Sequence, residues 1–349
     1  MNMNPVMTLK PLGMGQIIDR AVRLYRQNFW QYIGIVALAQ IPMLIFSATF
    51  PLVALGLDNT AVNMEMEAAL GLGMLSFVSI ILGAILTQVA LAAMTQAIAD
   101  TYLGRPTGIL EAFRRIGEAW IQLFVAFALI IVLVIGLLIW TLIPCVGWLT
   151  GPGMLIFGTA VAIPLVVPVV VLERESGVAA IGRVWQLVRR RFWWLLGFML
   201  LLNILSQIVV TGPSLLLTSA ITPLFGSEFG PMTQNVVQSV SSVVLNVLYL
   251  PLYTACVALL YFDVRVRTEG LDLALLAVSQ RDDGAETAVS TPHLAAHLTT
   301  VPAPTQSPMP TTDEWLYFLA ISFGLFLIYI VAFALVMLVL FGSLAAFFG

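Results

Sequence analysis

The chain has 349 residues, 60% hydrophobic and only 9% charged, with a mean hydropathy of +1.01 and a formal net charge of −3. Soluble domains carry about 25% charged residues, so a water-soluble globule is excluded. Several solid apolar runs exceed the roughly 20 residues that cross a bilayer as a helix, and none alternates as the strands of a membrane barrel do.

The opening MNMNPVMTLKPLG has no apolar h-region and no small-residue cleavage site, so no signal peptide is expected. Residues 14–29 predict an amphipathic helix, with Met14, Ile17, Ile18, Ala21 and Tyr25 on one face and Asp19, Arg20, Arg23 and Arg26 on the other. Apolar runs follow at 31–56, 69–99, 119–143, 151–172, 193–221, 235–262 and 315–347, which predicts seven spans. Further amphipathic surface helices are expected in GRPTGILEAFRRIGEAW and in ESGVAAIGRVWQLVRRRFW, and a fourth begins in TEGLDLALLAVSQR. In the third, Val178, Ile181, Val184 and Val188 share the apolar face, with Arg183, Gln186 and Arg189 opposite.

These elements define the expected fold class: an all-α polytopic membrane protein. Its six-span core has three repeated units, each an amphipathic surface helix followed by two spans. Residues 1–280 form this core. Residues 281–314, rich in Ala, Thr, Ser and Pro, read as a disordered cytoplasmic linker. Residues 315–349 add a seventh, tethered span.

With seven spans, all fifteen Lys and Arg fall on the N-terminal side of the membrane, whereas the opposite loops hold only Asp58, Glu65, Glu67 and Glu228. By the positive-inside rule the N-terminus is cytoplasmic and residue 349 lies outside. The inner face up to residue 280 has fourteen basic and nine acidic residues, a net +5, which suits an anionic inner leaflet.

Arg183 and the run Arg189, Arg190 and Arg191 are the candidate contacts for anionic lipid. A polar path through Gln88, Asn203 and Asn246 is the sharper alternative to ordinary interhelical hydrogen bonding. Prolines scattered through the spans predict kinked packing, and Gly158 with Ala162 a close helix contact. Glu173 and Glu175 flank a turn and read as solvated.

No catalytic, cofactor or metal residue is assigned. The only histidines, His293 and His297, stand in the linker with no Cys or Glu placed to complete a metal site. No hydrolase elbow, zinc-protease or P-loop motif occurs. Cys145 and Cys256 sit near separate apolar runs and read as ordinary small residues.

Three stretches, LKPLGMGQIIDRAVRLYRQNFW, VVLERESGVAAIGRVWQLVRRRFWWLLG and LYFDVRVRTEGLDLALLA, occur in an order that resembles a bacterial family. That family is the membrane domain found beside glycerophosphoryl diester phosphodiesterases, with its stand-alone relatives. The resemblance covers about residues 8–278 and implies a cytoplasmic-membrane protein without the soluble catalytic barrel. The expected role is a non-enzymatic scaffold or accessory subunit, with membrane lipids and a membrane protein as partners and no nucleic acid. The alternatives are a carrier of lipid or small amphiphiles and, more weakly, a membrane-lipid enzyme.

Overall fold

The computed structural model describes residues 11–58, 66–102, 108–117, 119–225, 231–271, 273 and 310–348. Every regular element among them is helical. Helix α1 (Met14–Gln27) is amphipathic as its spacing demands: Ile17 and Ala21 are buried while Asp19, Arg23 and Arg26 are exposed. Its first turn is capped by Gln16, whose side-chain oxygen accepts from the Gly13 N–H at 3.0 Å. After α2 (Phe29–Asp58) and α3 (Met66–Tyr102) comes the short α4 (Ile109–Ile116). Gly117 ends α4 at φ +51°, a conformation that favours glycine.

Helix α5 (Ala119–Thr141) turns through Cys145 into α6 (Val146–Phe157), which continues through a π turn, Gly158–Ala162, into α7 (Ile163–Glu173). Helix α8 (Gly177–Arg189) follows, its N-terminus capped by the Ser176 hydroxyl, which accepts from the Ala179 N–H at 3.3 Å. Helix α9 (Phe192–Ser206) passes through a second π turn, Gln207–Thr211, into α10 (Gly212–Phe225). The 39-residue α11 (Pro231–Glu269) and the 37-residue α12 (Thr312–Phe348) complete the chain.

Six helical stretches are long and apolar enough to cross a membrane among the described residues: Ile81–Tyr102, Ala119–Thr141, Val146–Glu173, Phe192–Ile221, Val237–Glu269 and Thr312–Leu338. The expected span at 31–56 lies within the 30-residue α2, many of whose side chains lie outside the described residues. So do His293, His297, most of the expected fourth surface helix and most of the linker.

The prolines do not break the spans. Pro164 and Pro213 each stand two residues beyond a π turn. Proline has no N–H to donate and its ring crowds the preceding turn, and a wider turn absorbs both defects while the helix runs on. Pro152, Pro168 and Pro251 sit inside α6, α7 and α11.

The core gathers Tyr32, Ile35 and Val36 of α2, Ala92, Ala93 and Ala97 of α3, Val169 to Val171 of α7, and Ala255 and Ala258 of α11. Small side chains on α3 and α11 let helix backbones approach closely where apolar burial gives little net gain. Helix α12 packs on the core as well, along α6. The Gly153 N–H donates to the Ser322 hydroxyl at 2.8 Å, and a Cβ at Gly153 would run into the carbonyl of Phe318. Phe318 also closes an aromatic cluster with Phe157, Trp185 and Phe192. The last span, expected to be tethered rather than packed in sequence order, docks along α6. Among its described side chains, packing is confined to the first turns, and Phe326 to Leu338 is exposed on every side.

Candidate functional site: a buried charge hub

Hydrogen bonds and ion pairs draw the starts of α1 and α12 and the body and end of α8 together with the ends of α3, α4, α7 and α11. The charge of the described chain concentrates at this end. At its centre Glu173, the last residue of α7, has a fully buried side chain. Its carboxylate accepts from Arg183 Nε at 2.9 Å and Nη2 at 3.2 Å, and from the Tyr261 hydroxyl at 2.7 Å. Arg183 also pairs with Glu269 at 2.5 Å. Glu269 in turn holds Arg265 at 3.0 Å, and Arg265 Nη1 donates to the Tyr261 hydroxyl at 3.1 Å. Two carboxylates, two guanidiniums and one phenol thus join α7, α8 and α11 with no net charge.

Helix geometry explains why this takes so many groups. A carboxylate at a helix C-terminus faces the negative end of the helix dipole, so Glu173 at the end of α7 needs cationic partners. Arg183 must be buried to supply one. Burial pulls its pKa down, but the hydrogen bonds and charges of Glu173 and Glu269 outweigh that and hold it above the ordinary value. Arg183 therefore stays cationic, and the cluster works as a clamp.

Smaller clamps flank the hub. Asp263 accepts from the Leu12 N–H at 2.6 Å and from Arg267 at 2.9 Å, while Arg267 donates to the Leu12 carbonyl at 2.8 Å. Asp100 at the end of α3 pairs with Arg115 of α4 at 3.2 Å. Arg189 and Glu314 form a two-pronged bond of 2.7 and 3.0 Å that ties α8 to the start of α12. Arg174, in the left-handed region at φ +58°, turns the chain from α7 into α8 and donates to the Ile116 and Arg115 carbonyls. It thereby satisfies carbonyls that α4 leaves unpaired at its end.

The sequence-based expectations fare unevenly. Arg183 and Arg189 point inwards, with side chains 6% and 4% exposed, which corrects their assignment to an outward lipid-binding face. Arg190 is exposed and donates to the Thr268 carbonyl, and Arg191 is half-buried over the Trp194 ring. Glu173 is buried, against the expectation that it is solvated.

Of the proposed polar path, Gln88 lines a crevice of about 30 Å³ between α3 and α5. Asn203 and Asn246 are exposed on α9 and α11, and Asn203 donates to the Met199 carbonyl of its own helix. The three side chains are not brought together. Gly158 makes no close helix contact, since a Cβ there would meet nothing within 4 Å. Cys145 and Cys256 are both free, Cys145 exposed and Cys256 buried.

Glu269, Tyr261, Asp263, Asp100 and Glu314 escaped the sequence reading. One signal was available: Ala180, Arg183, Val184 and Leu187 fall on one stripe of α8, so Arg183 lies among apolar neighbours.

Among the described residues no three His, Cys, Asp or Glu side chains gather as a metal ion would require. Comparison with protein-family profiles, with curated proteins and with solved structures returns no match for this chain.

Proposed function

We propose that this chain is a non-enzymatic scaffold or accessory subunit of the bacterial cytoplasmic membrane. It has seven spans, a cytoplasmic N-terminus and a core of three repeated units, akin to the membrane domain found beside glycerophosphoryl diester phosphodiesterases. The hub carries this reading: Glu173, Arg183, Arg265 and Glu269 are engaged with one another, so the most densely charged part of the molecule joins helices. An acid–base catalyst needs a titratable group able to reach a substrate, which a saturated internal cluster does not offer. The pairs Asp100–Arg115, Glu173–Arg183 and Asp263–Arg267 stand at the ends of three successive even-numbered spans, which supports the three-unit organisation. With Arg183 and Arg189 turned inwards, the grip on anionic lipid passes to the exposed Arg23, Arg26, Arg114 and Arg190.

Native mass spectrometry of the full chain purified in mild detergent tests this reading. A stoichiometric protein partner is the expected result. A defined lipid cargo exchanged between vesicles, with no protein partner, would replace the scaffold by a carrier. A periplasmic reporter fused after Gly349 should be active, and an inactive one would refute the seven-span topology.

A further inference from the structure

We propose that the cavity beside the first π turn binds an acyl chain of a membrane lipid. The cavity has a volume of about 220 Å³. Leu133 and Leu137 of α5, Leu155 and Thr159 around the π turn, and Ile181 and Val184 of α8 form its walls. Thr159 is the only polar side chain in the lining, and its hydroxyl already donates to the Leu155 carbonyl at 2.7 Å. A bound water needs about two to four polar partners, and this wall offers too few, so the cavity favours an apolar occupant. Left empty, it would forfeit the dispersion contacts of every side chain around it.

The occupant follows from the cavity's position. It lies between two spanning segments and opens along α5, where Leu133, one of its walls, is itself 50% exposed. That face of a spanning helix meets lipid hydrocarbon, so methylene chains stand at the mouth. Gly158 lines the cavity, and a Cβ there would meet nothing within 4 Å, so the open space begins at the backbone. The π turn supplies this gap by displacing the helix wall. Ile181 and Val184 form the floor on either side of Arg183, whose pairs with Glu173 and Glu269 hold α8 in place. No charged side chain lines the cavity, so binding is set by the chain and is indifferent to the head group.

Photo-crosslinking with the full-length protein in nanodiscs tests the site, using phosphatidylcholine or phosphatidylglycerol that carries a diazirine on one acyl chain. Label should concentrate on α5 and the π turn relative to the exposed Phe326–Leu338 stretch of α12, equally for both lipids. Gly158→Leu fills the space from within. It should lower that labelling by roughly tenfold, equivalent to 1.4 kcal/mol, and leave α12 labelling unchanged. Val134→Phe, from the opposite wall, should act alike and serves if the first variant does not fold. Labelling of the cavity walls no denser than that of α12 would overturn the site. So would a folded filling variant that labels like the parent, or enrichment with phosphatidylglycerol alone.

Discussion

Helix α8 and the outer half of α12 are opposites in composition and in environment. Helix α8 carries two arginines that point inwards, and half of its residues are buried among neighbouring helices. Residues Phe326 to Leu338 of α12 carry no charge and are exposed on all sides. In water the arrangement would be inverted. Against hydrocarbon an apolar side chain gains little by burial, whereas a charge needs partners wherever it leaves water. Charge therefore builds the inside of one end of this molecule, and apolar residues build the outside of the other.

Breaking the hub should produce the largest effect. Glu173→Ala leaves Arg183 and Arg265 buried around a missing carboxylate, and loss of one partner of a buried pair costs about 3–5 kcal/mol. Thermal unfolding in detergent should show a clearly lower midpoint and a lower yield of folded protein. A parent-like midpoint would mean that the hub contributes nothing to stability.

The junction between the two regions comes next. Gly153→Val drives a side chain into the Phe318 backbone, and overpacking of this kind costs about 1–3 kcal/mol. If α12 is expressed as a separate chain, it should co-purify with residues 1–280 of the parent and much less with those of the variant. Arg189→Ala leaves the Glu314 carboxylate, 8% exposed, without its cation and held by the Thr311 N–H, and should lower stability by about 2 kcal/mol, as for loss of a hydrogen bond to a charged group. Restoring apolar packing with Arg189→Met and Glu314→Met together should recover most of that loss, which a double-mutant cycle reads directly.

The smallest effect belongs to the exposed half of α12. Single changes such as Ile328→Leu or Val336→Leu should shift the midpoint by less than about 0.5 kcal/mol, as surface substitutions do. A shift comparable to that of Arg189→Ala would show that this half is packed against something.

Helix positions were legible because length and apolarity alone decide them. The predicted runs at 119–143 and 193–221 match Ala119–Thr141 and Phe192–Ile221 to within two residues at each end. The run at 151–172 begins five residues late, because Pro144 and Gly147 look like turn residues although Gly147 is helical in α6. The faces of α8 were misread for a different reason. The expected placement of Arg183 on the polar, lipid-contacting face overlooks that its position on the helix puts it beside Ala180 and Leu187. Whether such a residue turns inwards depends on a carboxylate ten positions away and another eighty-six away, Glu173 and Glu269.

The sequence by itself determined that the chain is helical and membrane-spanning, because every backbone polar group in hydrocarbon must be satisfied within its own helix. It also determined where charge gathers, since Arg, Asp and Glu are absent from the middles of the apolar runs. Only the tertiary structure decided that these charges pair with one another, that α12 docks on α6 through a glycine, and that the first π turn leaves an apolar cavity open to one side. These are relations between residues far apart in the chain, set by how whole helices rotate and approach, and local spacing carries no record of them.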